Sequence, residues 1–194
     1  MVAIAVAGAT GYIGGRLVPM LLESGDKAAV ANFEPTERQC ALNLGRAARE
    51  AGVKRLIYLS GLHPQGRLSR HLASRTTVGE ILLASGTPTA VLQAGLVIGS
   101  GSASFEMVRH LTDVLPLMPA PKWVLNKIQP IAIRDALHYL AGAAQLPAAL
   151  NRTFDIGGPE VLSYAEMMKG YAEAAGFRPP IVLPLPTSTT PPAA

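Results

Sequence analysis

Short apolar runs and stretches of helical periodicity alternate along the chain. Val2–Ala7 is a continuous apolar run, the pattern of a parallel strand that is covered on both faces. Gly8–Gly11 interrupts this run, and Tyr12–Ser24 then carries apolar residues at helical spacing. Lys27–Ala31 has the composition of a weak second strand. The N-terminus therefore predicts a strand, a glycine turn, a helix and a second strand.

The same alternation continues towards the C-terminus. The further predicted helices are Thr36–Ala51, Leu68–Ala84, Ser104–Leu115, Ile133–Ala144 and Tyr164–Ala175, and the further predicted strands are Arg55–Leu59, Thr89–Gln93 and Thr153–Ile156. We expect Pro116–Pro130 to be irregular and the proline-rich residues after Gly176 to form a frayed tail. The proline-rich end also suggests that the protein continues beyond Ala194.

Strands that alternate with helices are typical of right-handed βαβ units and a parallel sheet. We therefore predict an α/β fold of the Rossmann type, a doubly wound parallel sheet with helices on both faces. Residues 1–160 would form the dinucleotide-binding domain, and residues 161–194 a small C-terminal extension on the substrate side.

Composition narrows the class of function. The chain is 49% hydrophobic and 15% charged, which is too apolar for a disordered protein. Its net charge is +4, but Lys and Arg are scattered, so we expect no nucleic-acid partner. No apolar stretch reaches the roughly 18 residues of a membrane span. The single cysteine, Cys40, cannot form a disulfide within the chain and predicts a reducing cytoplasm.

The glycine turn, Gly8-Ala-Thr-Gly-Tyr-Ile-Gly14, lies where a dinucleotide fingerprint belongs. Gly8 permits a tight turn, Gly11 lets the backbone approach a pyrophosphate, and Gly14 allows the helix to pack closely on the strand. The free N–H groups at the start of a helix favour anions. The predicted cofactor-binding residues are Gly8, Thr10, Gly11, Tyr12, Ile13, Gly14 and Arg16. Arg16 would contact the 2′-phosphate of NADP, or else it is an ordinary solvent-facing arginine.

This turn resembles the fingerprint of the extended and atypical short-chain dehydrogenase/reductases, a group that includes the NmrA-like NAD(P)-binding proteins. Three later segments resemble the same group: Arg55-Leu-Ile-Tyr-Leu-Ser-Gly-Leu, Gln129-Pro-Ile-Ala-Ile-Arg-Asp-Ala and Phe154-Asp-Ile-Gly-Gly-Pro-Glu. The likeness runs from Met1 to about Pro186 with one interruption. It implies NADP or NAD as the cofactor.

The resemblance also implies a catalytic serine at a strand end and a Tyr-x-x-x-Lys on the helix that follows. Ser60 ends the Arg55–Leu59 strand, but His71 and Arg75 stand where tyrosine and lysine would be. Histidine can transfer a proton near neutral pH, whereas arginine can bind phosphate or ribose but keeps its proton. We predict Ser60, His71 and Arg75 as candidate catalytic residues. The alternative is that His71 and Arg75 are surface residues and that Ser60 caps a loop.

Two neighbours of Ser60 are weaker candidates. Tyr58 lies on the strand itself and is interpreted as part of the core. His63 follows in the loop at the carboxyl end of the strand, where open α/β sheets bind ligands. No carboxylates or histidines are spaced as metal ligands, so we predict no metal.

A segment typical of this fold is missing after the second strand. In the fold, the second strand lies on one side of the first and the later strands lie on the other, two or three strand spacings or roughly 10 to 15 Å away. Asn32–Glu34 spans only about 10 Å when fully extended. We therefore hypothesise that residues are absent between about Lys27 and Phe33. The usual discriminator between NAD and NADP is lost with them.

The sequence leaves two functions open. One is an atypical short-chain dehydrogenase/reductase that binds NAD(P)H and reduces or epimerises an unknown small-molecule substrate, as a monomer or homodimer. The other is a redox sensor or regulator of the NmrA type, which holds the dinucleotide without turning it over. The absence of the Tyr/Lys pair favours the sensor, whereas Ser60 and His71 favour the enzyme.

Overall fold

The fold is taken from a computed structural model of the chain. It describes residues 3–7, 13, 16–17, 19–20, 27–31, 37–63, 70–114 and 117–185. The chain divides into two compact units. The first consists of the described residues of Met1–Ala94 and Ile133–Ile156, and the second of those of Gly95–Ala132 and Gly157–Ala194. The predicted division into a dinucleotide-binding domain, residues 1–160, and a C-terminal extension, residues 161–194, stays a prediction.

The first unit begins with two parallel strands, β1 (Ala3–Ala7) and β2 (Lys27–Ala31). Ala3 is the partner of Lys27, and the register continues along both strands. Between them the amides of Arg16 and Leu17 donate to the carbonyl of Ile13 at 3.1 and 2.9 Å, which forms a helical turn. A strand, a helical turn and a parallel strand therefore follow one another, as the hydrophobic pattern predicts.

The larger sheet of the first unit has three parallel strands. Its order is β3 (Leu56–Gly61), β4 (Thr89–Ala94) and β9 (Arg152–Ile156), with β4 in the centre. Every residue of β4 is buried, as expected for a central parallel strand. Its helices are α1 (Glu37–Glu50), α2 (Arg70–Leu83) and α4 (Ile133–Ala143).

Helices α1 and α2 bury their apolar faces beside β3. Ala41 of α1 and Val78 and Leu82 of α2 form a buried cluster, and Tyr58 of β3 packs against it. Gly79 faces the sheet, because a Cβ there would lie at ordinary van der Waals distance, 3.5 Å, from the Val91 side chain. The residues at the carboxyl ends of β3 and β4 are thereby held at a fixed distance from α2.

The second unit contains short strands and two helices. They are β5 (Leu96–Ile98), α3 (Ala103–Val114), β6 (Leu117–Pro121), β7 (Lys127–Ile128), β8 (Pro130–Ala132), β10 (Leu162–Ser163), α5 (Tyr164–Ala174) and β11 (Ile181–Leu185). Parallel pairs join β5 to β8 and β6 to β11, whereas β7 and β10 are antiparallel. Val108, Val124, Met167 and Met168 lie in its buried core.

Two predictions about this unit are wrong. Pro116–Pro130 is not irregular, since it contains β6, a 3₁₀ turn at Lys122–Leu125 and β7. The residues after Gly176 include β11, so the predicted tail is part of a strand pair as far as Leu185. Prolines in β6 and β11 obscure both strands in the sequence. A two-stranded ladder tolerates them because its outer edges need no N–H donor.

The pairing of β2 bears on the hypothesis of a missing segment. Within the described residues β2 pairs with β1, while β3 pairs with β4. Direct pairing of β2 beside β3, which would have refuted the hypothesis, is thus not found among the described strands, and the missing segment stays a prediction. None of the helices in the described ranges is both long enough and apolar enough to cross a membrane.

Candidate functional site

Three polar residues form a row at the carboxyl end of the three-stranded sheet. Ser60 of β3 is paired in register with Gln93 of β4, and Gln93 is paired with Asp155 of β9. Residues paired in register across parallel strands leave the same face of the sheet, about 5 Å apart. Ligands bind at the carboxyl ends of strands in open α/β sheets. This row is therefore the candidate site.

The hydroxyl group of Ser60 is buried. The residue is 4% exposed, and its Oγ has no hydrogen-bond partner among the residues that the structure describes. Leaving a buried hydroxyl unsatisfied costs about 1–3 kcal/mol. A group that is kept despite such a cost is a candidate for binding a ligand.

Tyr58 lies two residues before Ser60, on the same face of β3. Burial raises the pKa of its hydroxyl, and so does the carboxylate of Glu37, whereas the guanidinium of Arg75 lowers it. Ser60 lowers the pKa of Tyr58 slightly as well, so the two hydroxyls are near each other, although their geometry falls short of a normal hydrogen bond. The raised pKa means that Tyr58 is protonated at neutral pH.

The predicted pair on the helix falls on α2. His71 is the second residue of that helix, and its side chain lies outside the described part of the structure. Arg75 is half-buried, one turn further along, and its charge acts on Tyr58 of β3. The structure therefore brings Arg75 near the strand that carries Ser60, whereas the predicted role of His71 is not tested.

A second polar cluster, which the sequence did not predict as a unit, lies beside Ser60. His63 Nε2 is 2.8 Å from Thr76 Oγ1, and the amide nitrogen of Gln93 lies about equally far from both ring nitrogens of His63, 3.1 Å from Nδ1 and 3.2 Å from Nε2. The hydroxyl of Thr76 also donates to the carbonyl oxygen of Leu72 at 2.9 Å. The cluster ties the loop after β3 to both β4 and α2. Only the position of His63 at a strand end pointed to it, because Gln93 and Thr76 are distant in sequence.

Close packing holds the end of β3 against α2. A Cβ on Gly61 would lie 2.7 Å from Cδ2 of Leu72, closer than real Cβ contacts. Gly61 therefore leaves room for the side chain of Leu72 against the strand end, at the residue directly after Ser60.

The predicted cofactor-binding turn is described at two positions. Ile13 accepts the backbone hydrogen bonds that open the first helical turn, and Arg16 is exposed on that turn. The other predicted residues, Gly8, Thr10, Gly11, Tyr12 and Gly14, lie outside the described residues. The helical turn between two parallel strands fits a bound dinucleotide, and the Ser60 hydroxyl, which has no partner among the described residues, fits a bound substrate. Within the described ranges, no three His, Cys, Asp or Glu side chains are grouped closely enough to hold a metal ion.

No family model and no curated protein matches this sequence. Solved structures do match its fold. The UDP-N-acetylglucosamine 4-epimerase from Bacillus cereus has a TM-score of 0.77 at 15% identity, over 96% of this chain and 86% of that one. The Bordetella bronchiseptica enzyme WbmG in complex with NAD has a TM-score of 0.75 at 15% identity, over 96% and 82%.

A third similar structure is a dTDP-4-dehydrorhamnose reductase from Clostridium acetobutylicum ATCC 824. Its TM-score is 0.74 at 12% identity, over 97% of this chain and 85% of that one. At such identities the likeness is one of fold. The parallel strands, the helices packed on them and these matches together confirm the predicted class: the chain has a Rossmann-type α/β fold.

Proposed function

We propose that this chain binds NAD or NADP and acts as an oxidoreductase or epimerase of the short-chain dehydrogenase/reductase type on a small substrate. The observation that carries the proposal is the hydroxyl of Ser60, buried without a partner among the described residues at the carboxyl end of a parallel sheet. The similar structures include an NAD complex, an epimerase and a reductase.

The glycine turn at Gly8–Gly14 would hold the pyrophosphate, as the sequence pattern predicts. A bound nicotinamide supplies or accepts a hydride. The proposal covers both NAD and NADP: the similar structure is an NAD complex, whereas Arg16 is exposed and suits a 2′-phosphate.

The chain's own residues would bind and orient the substrate. The Ser60 hydroxyl would bond to the substrate oxygen that changes between carbonyl and alcohol, which satisfies a buried group. Tyr58, a protonated hydroxyl, is near Ser60, and the fixed cation of Arg75 is near Tyr58. Nucleotide-linked sugars are the first substrates to test, because the similar epimerase and reductase are named for UDP- and dTDP-linked sugars.

The second candidate function is a dinucleotide-binding sensor or regulator of the NmrA type. The observation in its favour is the sequence of α2, which contains neither tyrosine nor lysine. A protein of this kind would bind the dinucleotide and transfer no hydride. Its partners and its oligomeric state, monomer or homodimer, are predictions of the sequence.

Turnover separates the two functions. We expect the wild-type chain to consume NADH or NADPH with at least one compound in a panel of 4-keto nucleotide sugars and simple carbonyls. Ser60→Ala should lower kcat/KM by about 100-fold, as loss of a hydrogen bond to the transition state does. Glu173→Gln, an exposed change on α5, is the matched control and should leave turnover unchanged. Binding of the dinucleotide without turnover of any compound would decide for the sensor.

A further inference from the structure

Two contacts between β3 and α2 fix how the helix lies along the strand. The ring of Tyr58 lies next to Gly79, because its Cδ1 atom would be 3.9 Å from a Cβ there. Leu72 lies against Gly61 in the same way. The strand advances about 10 Å between its two contact residues and the helix about 10.5 Å between its own. The two lengths match, so the helix runs antiparallel to the strand.

This alignment sets the position of Arg75 along β3. It precedes Gly79 by about 6 Å along the helix, and Ser60 follows Tyr58 by about 6.5 Å along the strand. Leu72, Arg75 and Gly79 are separated by three and four residues, so they share the face of α2 that is turned to the strand. Arg75 is half-buried there. It therefore lies at the same level as Ser60, between helix and strand.

The hydroxyl of Tyr58 is directed towards the carboxyl end of the sheet. The groups that act on it are the guanidinium of Arg75, the carboxylate of Glu37 and the hydroxyl of Ser60. Ser60 and Arg75 both lie beyond Tyr58 in the direction of that end. Glu37, the first residue of α1, accepts a hydrogen bond from Ser74, which directly precedes Arg75. The ring of Tyr58 thus packs against the core, while its hydroxyl reaches the candidate site.

Reduction of a carbonyl group needs a proton as well as a hydride. The hydride bonds to carbon, and the negative charge that develops on oxygen is neutralised by a proton donor within hydrogen-bond reach. The hydroxyl of Ser60 can hold this oxygen, but an alcohol is a very weak acid. A phenol is a stronger acid, and a fixed cation beside it stabilises the phenolate that remains. Tyr58 and Arg75 together provide a phenol and a fixed cation.

We propose that Tyr58 is the catalytic residue that donates this proton, with Arg75 as the positioning residue that stabilises its phenolate. The assignment rests on the proposed function, in which a bound dihydronicotinamide supplies the hydride. The O–H bond of Tyr58 breaks and its proton bonds to the substrate oxygen, while the hydride bonds to the carbonyl carbon. The carbonyl is thereby reduced to an alcohol, the dihydronicotinamide is oxidised, and the phenolate takes a proton from water.

The surroundings of Tyr58 keep its hydroxyl protonated over the neutral range. Burial, the largest effect, raises the pKa of Tyr58, and the cation of Arg75 opposes this. The charged and titratable groups on the elements packed around it are Glu37 and Cys40 on α1, Arg75 and Glu80 on α2, His63 in the loop after β3, and His71 on α2, whose side chain lies outside the described part. The proton donor is therefore lost only in alkaline solution.

Phenylalanine variants separate the hydroxyl of Tyr58 from its ring. Tyr58→Phe keeps the ring against α2 and should lower kcat for carbonyl reduction by at least about 100-fold, the usual contribution of a positioned acid. Calorimetric titration should show unchanged affinity for NADH or NADPH. Tyr139→Phe, an exposed change on α4, is the control and should leave both quantities unchanged. Full turnover in Tyr58→Phe would overturn this assignment alone, whereas no turnover in the wild type would refute the proposed function and the assignment together.

The pH profile tests the role of Arg75. In the wild type kcat should fall as the pH rises through the pKa of Tyr58. Arg75→Gln removes the cation that lowers this pKa, so the fall should move to higher pH; Arg75→Lys should reverse the shift, and the exposed change Arg134→Gln on α4 should cause none. Tyrosinate absorbance of the chain without dinucleotide, taken as the difference from Tyr58→Phe, should move in the same direction. Identical profiles and absorbance in Arg75→Gln and the wild type would overturn the proposal.

Discussion

Two buried hydroxyl groups, those of Thr89 and Ser60, differ in their hydrogen bonds. Thr89 and Ser60 are both almost fully buried on neighbouring strands. The hydroxyl of Thr89 lies 2.9 Å from the carbonyl oxygens of Leu82 and Thr87, whereas that of Ser60 has no partner among the described residues. Within the described residues, burial is therefore offset by hydrogen bonding at Thr89 and not at Ser60, which is the basis for the proposal that Ser60 binds a ligand.

Removal of these two hydroxyl groups should change the free energy of unfolding in opposite directions. Ser60→Ala removes an unsatisfied group and should raise the free energy of unfolding by about 1 kcal/mol. Thr89→Val removes the hydroxyl proton that the carbonyl oxygens of Leu82 and Thr87 share and should lower it by about 1–2 kcal/mol. Urea denaturation of both variants measures the difference. A loss of stability in Ser60→Ala equal to that in Thr89→Val would mean that Ser60 is an ordinary structural residue.

Sequence patterns predict some residues of the candidate site and not others. Ser60 was found because it follows an apolar strand, and Arg75 because helical spacing can be counted along one element. Gln93 and Thr76 were not predicted as partners of His63, since a contact between a strand, a loop and a helix leaves no periodic trace in the sequence. His71 attracted attention by its spacing alone, while the imidazole with hydrogen-bond partners in the structure is His63.

Elements with many residues were easier to predict than short ones. Helices α1 and α2 begin and end within about two residues of their predicted bounds, because each buries an apolar stripe that repeats at helical spacing. Strand β6 escaped prediction since only Met118 and Ala120 are buried, among prolines and exposed residues. Two inward-facing residues are too few for an alternating pattern to be recognised.

Helix α5 shows how an element begins at a defined residue. Ser163 caps it, because its hydroxyl accepts from the amide of Glu166 at 3.1 Å and the carboxylate of Glu166 accepts from the amide of Ser163 at 2.6 Å. Lys127 donates to the same carboxylate at 2.7 Å. These hydrogen bonds, with that of Lys127 the largest contribution, lower the pKa of Glu166 to about 2.

The reciprocal hydrogen bonds of Ser163 and Glu166, a capping box, should affect how the free energy of unfolding depends on pH. A carboxyl group whose pKa is lowered in the folded state stabilises that state above its ordinary pKa near 4.5 and loses the effect as the pH falls towards 2. Glu166→Gln should therefore destabilise the chain at pH 7 and differ little from the wild type at pH 2. Glu173→Gln on the same helix is the control, expected to have little effect at either pH because Glu173 is exposed.

An equal effect of Glu166→Gln at pH 7 and pH 2, measured by urea denaturation, would contradict this account of the cap. Ser163→Ala should cost about 1 kcal/mol at pH 7, the usual value of an N-cap.

At the scale of the whole molecule, the chain enters the second unit again after β9, and there its backbone at Gly158 lies close to the backbone of Pro130. The amide of Gly158, two residues after β9, donates to the Pro130 carbonyl at 2.9 Å. A Cβ at this glycine would collide with the same carbonyl oxygen. Gly170 of α5, in contrast, has nothing within 4 Å of its Cβ position. A close backbone contact therefore requires glycine at position 158, whereas no such contact requires it at position 170.

Alanine at these positions tests the packing of the second unit. Gly158→Ala should lower the free energy of unfolding by about 1–3 kcal/mol or more, because backbone must shift. Gly170→Ala should raise it by about 0.5–1 kcal/mol through the better helix propensity of alanine. Thermal or urea unfolding measures both, and a neutral Gly158→Ala would show that the two backbone segments are farther apart than described.

The fold class was predictable as a whole because it depends on the order of strands and helices, which the hydrophobic pattern records. The division into units was not, since the second unit draws on two separated segments, Gly95–Ala132 and Gly157–Ala194. Packing between such distant segments leaves no trace in local periodicity. The proposed dinucleotide site, by contrast, is predicted from a contiguous motif, Gly8–Gly14.

Calorimetric titration of the full chain with NADH and with NADPH tests the central claim most directly. The account predicts saturable binding of at least one of them to one site per chain. Gly11→Val, which places a side chain against the pyrophosphate, should weaken this binding at least 100-fold, while Gly170→Ala should leave it unchanged. Absence of binding of both nucleotides at millimolar concentration, or equal affinity in Gly11→Val, would contradict the account.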